Sequence, residues 1–199
     1  MKFRVVHSIL KSLQYFFFRV LQETQEKLSC SDTTVFIFHG RKLYLVTILD
    51  TYTRNVLGFS FGWHHNADLV LEALEMAIIQ TGCVPDIFHS DRGTEFMAQM
   101  CTCYMEERGT KISVSNKAFP WENGYQESFF GRFKEEFGDV NRFETVGLLI
   151  EEICQKIYYY NNHRIQTSLK MPPVEFAQQH QLPSLQLIDE CLHYKASAV

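Results

Sequence analysis

The chain has 199 residues, 46% hydrophobic and 21% charged, with a formal net charge of −4 and an isoelectric point near 6.1. That length suits one domain with a proper core and little else. The negative balance excludes a stand-alone nucleic-acid binder that relies on bulk Lys and Arg, so any such contact has to use local basic patches, metal ions or a partner subunit.

Residues 1–28 differ from the rest. Ser12 to Leu21 is apolar without a clear period, and Gln22 to Lys27 is polar. The segment reads as a poorly specified helix and a linker, the remnant of a larger N-terminal region. Val5 to Leu21 is interrupted by Lys11 and Arg19 and lacks a small-residue cleavage site, so neither a membrane span nor a signal peptide is expected.

Order is expected from about residue 31. Thr33 to Phe38 is β-branched and aromatic and predicts a strand. His39 to Lys42 is a turn, and Leu43 to Leu49 is a strand apolar enough to be buried on both faces. Asp50 to Asn55 turns again, and Val56 to Trp63 completes an antiparallel meander. From Asn66 to Gln80 the period becomes helical, through Leu69, Leu71, Leu74, Met76, Ile78 and Ile79, with Asn66 or Asp68 to cap it and Gly82 to end it. Asp86 to His89 is a short strand. Glu95 to Arg108, capped by Ser90 or Thr94 and closed by Gly109, is a second helix. Lys111 to Val114 is a fifth strand, Pro120 opens a helix reaching about Phe137, and Thr145 to Asn161 is amphipathic. The order βββαβαβα plus a helix predicts an α/β fold: a ribonuclease H-like, five-stranded mixed sheet with helices on both faces. The core is expected over 29–180, with 1–28 an extension and 181–199 a tail.

Six cysteines, Cys30, Cys83, Cys101, Cys103, Cys154 and Cys191, form no CxxC pair and have no zinc-type His companions. They read as reduced, mostly buried thiols of a cytoplasmic protein.

Three acids carry the chemistry. Asp91 follows the apolar run Ile87-Phe88-His89-Ser90 and precedes Arg92-Gly93; Glu127 lies in the helix opened by Pro120; Asp32 opens the first strand. Positions 92–126, 35 residues, separate Asp91 from Glu127. Carboxylates gathered from different elements repel and desolvate each other, and the gathering is tolerable mainly when divalent cations neutralise it. Two oxygen-ligated Mg²⁺ ions about 3.5–4 Å apart are the machinery of phosphodiester chemistry.

Several ordered pieces carry a resemblance. They are Ser31-Asp32-Thr33-Thr34; Tyr44 to Arg54; His89-Ser90-Asp91-Arg92-Gly93-Thr94-Glu95-Phe96; Pro120 to Glu135; and Tyr158 to Arg164 with Leu169 to Pro173. From about Ser31 to Ala177 the chain resembles the integrase catalytic core of bacterial insertion-sequence transposases, relatives of retroviral integrase. The resemblance implies Asp32, Asp91 and Glu127 as catalytic metal ligands for two Mg²⁺ or Mn²⁺ ions. It implies in-line attack on phosphorus, first by water to free a 3′-hydroxyl at an element's end, then by that hydroxyl on target DNA. The implied partners are DNA, further copies of the chain or a helix-turn-helix protein of the same element, and no membrane.

Blander readings stand beside these. Asp50 rivals Asp32, but an Asp at a strand end is usually a turn or cap residue. Asp91 alone reads as an Asp-x-Gly turn, and Glu127 as a solvated glutamate. Asn123, Gly131 and Lys134 share the Glu127 face at i−4, i+4 and i+7. Gly124 and Gly131 weaken that helix by about 1 kcal/mol each, which suits close approach of a DNA backbone. Lys134, by resemblance, contacts the phosphate near the attacking end; otherwise it pairs with a glutamate. Asn123 is a candidate to orient the scissile phosphate or the attacking water, and Arg132 and Arg164 (with His163) to bind DNA. His89 is set aside as a ligand and expected to point away from Asp91; His64 and His65 read as surface turn residues. No tryptophan precedes Asp32 and no helix-turn-helix is recognisable in 1–28, which leaves a second expectation: a truncated remnant, or one product of a two-frame element, acting only as an interaction module. A plain ribonuclease H-like nuclease is the third, disfavoured by the acid spacing and Lys134.

Overall fold

β-branched and aromatic residues fill Thr33 to Phe38, the second half of β1 (Leu28–Phe38), the strand around which the rest is laid. The computed structural model describes residues 28–91, 93, 95–96, 98–114, 124–180 and 182. β2 is Arg41–Asp50 and β3 Val56–Gly62. Helix α1 is Ala67–Thr81, β4 Ile87–Ser90, α2 Gln99–Glu106 and β5 Lys111–Val114. Helix α3 is Gly124–Phe137, α4 Val146–Asn162 and α5 Pro173–Gln179, with a 3₁₀ turn at Val140–Arg142. The five strands form one sheet in the order β3-β2-β1-β4-β5. β1, β2 and β3 pair antiparallel, whereas β4 pairs parallel to both β1 and β5. The mixed sheet expected from the element order is the one observed.

Each face of the sheet is covered by a different pair of helices. Cys30, Phe36, Leu45 and Leu49 point to one side, against Phe129, Phe133 and Phe137 of α3 and Leu149, Ile153 and Ile157 of α4. Val46, Ile48 and Phe88 point to the other, against Leu69, Val70 and Leu74 of α1 and Cys101 and Met105 of α2. The period of two in the strands sorts the side chains between these layers. On the second side α1 comes so close to β3 that a Cβ at Gly58 would strike the Ala73 carbonyl and stand 2.7 Å from the Ala77 nitrogen. Only glycine permits that approach.

The caps of α1 follow the sequence. Asn66 accepts a hydrogen bond from the Leu69 N–H, and Gly82, at φ 64°, ends the helix in the left-handed conformation. Three boundaries move. β1 starts at Leu28 rather than Thr33, because β2 pairs with it from Ser29 and β4 from Leu28, and two neighbours outweigh the weak strand propensity of Ser29, Ser31 and Asp32. Asp32 therefore lies inside the strand instead of opening it. α2 begins only at Gln99, capped by neither Ser90 nor Thr94, since Glu95 and Phe96 are buried in the preceding turn. Helix α5 adds an element absent from the sequence reading; Pro173 stands at its first position.

The described cysteines, Cys30, Cys83, Cys101, Cys103 and Cys154, are thiols outside any disulfide. Burial pushes the Cys30 thiol far up and that of Cys101 to about 11, so both stay protonated packing groups near neutrality. Among the described residues, no helix is long and apolar enough to cross a membrane. Residues 1–27, most of the 181–199 tail and Cys191 lie outside the described residues.

Candidate active site

The parallel seam between β1 and β4 aligns the two aspartates. Its ladder pairs Leu28 with Ile87, Ser29 with Phe88 and Cys30 with His89, always 59 positions apart. Asp32 and Asp91 are also 59 apart; the same register carried two residues beyond the ladder's end would set them side by side, on strand lines that lie about 4.8 Å apart in a sheet. By alternation Asp32 shares the side of the sheet occupied by Cys30 and Phe36, the side covered by α3 and α4. On its other flank Asp32 is paired with Thr47 of β2. Asp32 Oδ1 accepts from the Thr33 N–H at 2.7 Å. Asp91 is exposed just beyond β4, and its Oδ1 accepts from the Gly93 N–H at 2.9 Å.

The turn after Asp91 is tethered by a pair that sequence reasoning missed. Glu95 is buried, and its Oε1 lies 2.7 Å from Nε2 of His65. The His65 ring stacks on Tyr44 of β2, centroids 5.1 Å apart and planes 6° apart. A Cβ at Gly93 would strike Glu95 Oε1 and come within 3.0 Å of Asp91 Oδ1, so glycine there lets two carboxyl groups approach. His65 is thus more than a surface turn residue. The partners are 30 positions apart, and nothing in their local sequence announces the contact.

Helix α3 brings the third acid to the same level of the sheet. The Phe137 ring sits 5.6 Å from that of Phe36, and Phe129 lines a cleft with Leu49, the register partner of Cys30. The helix therefore runs along β1 in the same direction. Ten helical residues from Phe137 back to Glu127 span about 15 Å, and four strand residues from Phe36 back to Asp32 about 13 Å. Glu127 thus stands on α3 near the height of Asp32; its side chain, Asn123, Arg92 and Thr94 lie outside the described residues. Gly131 and Lys134, on the Glu127 row, are exposed, and a Cβ at Gly131 would meet nothing within 4 Å.

Arg132 and Arg164 are not on that row. They line a cleft on the other flank of α3, with Arg54 and Lys156. Burial pushes the hydroxyl of Tyr160, at the same cleft, up to about 12, against the opposing pull of Arg54, Arg164 and Arg132. His163 closes α4, its N–H donating to the Tyr159 carbonyl.

Asp50 is a turn residue. Its Oδ1 accepts from the Tyr52 N–H, the Thr53 N–H and the Thr53 hydroxyl at 3.1, 2.6 and 2.8 Å. Burial raises its carboxyl above the ordinary carboxylate range, against those hydrogen bonds and Arg54. His89 does not take the side away from Asp91 that the sequence suggests. The ladder pairs it with Cys30, on the α3 side, and its Nδ1 lies 3.0 Å from the Ser113 hydroxyl. Among the described residues, no group of three or more His, Cys, Asp or Glu stands ready to hold a metal. The donors available at the corner are carboxylate oxygens, the ligand type that fits hard divalent cations.

Two family models described as integrase core domain match residues 23–120 and 127–181. InsK for insertion sequence element IS150 of Escherichia coli (strain K12) is 30% identical over 77% of this chain and 55% of its own length. An uncharacterized transposase-like protein of Haemophilus influenzae is 32% identical over 75% of this chain and 69% of its own length. The chain thus spans about half to two thirds of these relatives. The HTLV-2 integrase catalytic core domain, solved in complex with magnesium, superposes with a TM-score of 0.61 over 76% of this chain and 95% of that one; at 17% identity this is a likeness of fold.

Proposed function

Because the chain belongs to the integrase core domain family, alongside proteins of bacterial insertion elements, we propose that it is the catalytic core of a transposase, cutting DNA at an element's ends and joining those ends to a target. The reading rests on the shared offset of 59 between the β1–β4 ladder and the pair Asp32 and Asp91. The course of α3, which carries Glu127 along β1, supports it.

In this reading Asp32, Asp91 and Glu127 hold divalent metal. Mg²⁺ or Mn²⁺ bound there, as a pair, supplies activation of the attacking oxygen and charge neutralisation at the leaving one. The chain's residues do the rest by placement. The seam fixes two carboxylates in register, and the Glu95–His65 contact holds the turn that carries Asp91. Lys134 meets a phosphate on the Glu127 row, Asn123 orients the scissile group, and Arg132 and Arg164 hold DNA on the far side of the helix. Positioning and charge stabilisation are the main requirements of phosphoryl transfer, and no covalent enzyme intermediate is needed. Residues 29–180 form the core in this reading, 1–28 and 181–199 its extension and tail. It works in the cytoplasm with further copies of itself or a helix-turn-helix protein of the same element.

The test is nicking and end-joining of plasmid and duplex DNA with Mg²⁺ or Mn²⁺. Asp91→Asn and Glu127→Gln should each lower turnover at least about 100-fold while the fold persists. Turnover unchanged in both variants refutes the assignment. Co-purification with an intact transposase, without turnover on any DNA, favours the interaction module instead.

A further inference from the structure

On the flank of α3 away from Glu127, a cleft of about 600 Å³ opens between α3, the second half of α4 and the loop after it. Arg54, Arg132, Lys156 and Arg164 line it against one carboxylate, Glu152. Glu152 also faces Arg142, outside the lining, at 3.8 Å. In a chain of net charge −4, four cations around one concavity are a local reversal of sign that focuses potential on an anion. Tyr159 lines the cleft too, 55% exposed, with its ring tilted at 37° against that of His163, centroids 5.9 Å apart. At 100° per residue, Phe129, Arg132 and Phe133 lie about 140–240° around α3 from Glu127, so this cleft and the row of Glu127, Gly131 and Lys134 occupy opposite flanks.

We propose that the cleft binds a segment of single-stranded DNA, with its phosphates held by Arg54, Arg132, Lys156 and Arg164 and a base stacked on Tyr159. The charge and shape specify a polyanion with a flat group; that the polymer is DNA rests on the function proposed above. A basic groove beside an exposed aromatic ring is the pattern of sequence-tolerant single-strand binding. The volume suits a few nucleotides of one strand. The helix would then divide two tasks: chemistry on one flank, retention of an unpaired strand on the other.

The test is fluorescence anisotropy of a labelled oligo-dT 16-mer with the full chain in EDTA, so that no metal-held contact at the acids contributes. The intact chain should bind with a marked salt dependence. Lys156→Glu and Arg132→Glu should each weaken binding about tenfold or more and flatten the salt slope by about 0.7 for every phosphate left without its cation. Tyr159→Ala should weaken it at least about fivefold. Lys42→Glu, an exposed change of the same charge on β2, should leave it unaltered. Thermal melts of all four variants establish that they are folded. Three results overturn the proposal: no binding by the intact chain, equal weakening in Lys42→Glu and Lys156→Glu, or displacement of the oligonucleotide by oligo-glutamate at equal concentration, which would make the cleft a seat for an acidic peptide. Nicking is scored separately. Binding without nicking retains the cleft and removes the proposed activity, and nicking without binding does the reverse.

Discussion

Asn161 stands in for a neighbouring strand to Val56. Its Oδ1 accepts from the Val56 N–H at 3.0 Å, and its Nδ2 donates to the Val56 carbonyl at 2.9 Å, across 105 residues of sequence. The side chain is fully buried in the last turn of α4. β3 is an edge of the sheet, and this amide closes the outer side of its first residue. Asn161→Ala would leave two buried main-chain groups unpaired, a cost of about 2–4 kcal/mol. Urea unfolding should show the loss, and Asn161→Asp, which buries a carboxylate against the Val56 carbonyl, should cost at least as much near neutral pH.

Asp50 gives a prediction with a sign in pH. Burial raises its carboxyl, so the folded state holds this proton more tightly than the unfolded chain does. Stability from the neutral acid is present below the unfolded value and is lost as pH rises through the folded one. Asp50→Asn keeps the acceptor for Tyr52 and Thr53 and removes that loss, so it should equal or exceed the parent in stability at pH 7 and keep DNA nicking. Asp50→Ala should cost about 1–3 kcal/mol by orphaning the Tyr52 and Thr53 donors. Denaturation curves at pH 4, 5.5 and 7, with a nicking assay, check both; loss of nicking in Asp50→Asn would restore Asp50 as a ligand.

Gly131 separates stability from function. A methyl group there meets nothing within 4 Å, and alanine is a better helix former by about 0.5–1 kcal/mol. Gly131→Ala should therefore raise the melting temperature. If DNA passes over the Glu127 row, the same variant should lose strand transfer, and Gly131→Leu should lose more. A variant more stable and equally active would move the DNA elsewhere.

Divalent metal should stabilise the fold through the acids. With 10 mM Mn²⁺ and an affinity near 1 mM, linkage gives about 1.4 kcal/mol, or about 3–6 °C in a domain of this size. Asp32→Asn and Asp91→Asn should each abolish most of the shift seen by scanning calorimetry. A shift of the same size in both variants would mean that the ion binds at other groups.

The strands and α1 are legible in the sequence because their signals are local: β-branched runs, a helical period, Asn66 before it and Gly82 after it. The acid pair is legible as a motif, whereas its adjacency depends on the β1–β4 register, which no short window contains. The neighbours of Glu95 are helix formers and suggest a helix there. Its contact with His65 outweighs propensity and holds the residue in a turn. The cleft is half visible. Arg132 and Arg164 stand out as candidate DNA contacts, yet Arg54 and Lys156 join them only through the tertiary fold, and the helical wheel that unites Arg132 with Phe129 sets it apart from Lys134. Asn161 sits in a stretch that resembles a family signature, and the structure gives it a mechanical role.

The seam between β1 and β4 also orders events in time. β1, β2 and β3 are joined by short turns and can associate early, while β4 reaches β1 only after a long crossover, the slower kind of contact to close. A nascent chain that has built only the meander carries Asp32 without its neighbour. The neighbouring of the two carboxylates is therefore a property of the finished fold, acquired when the crossover docks and absent from the meander alone.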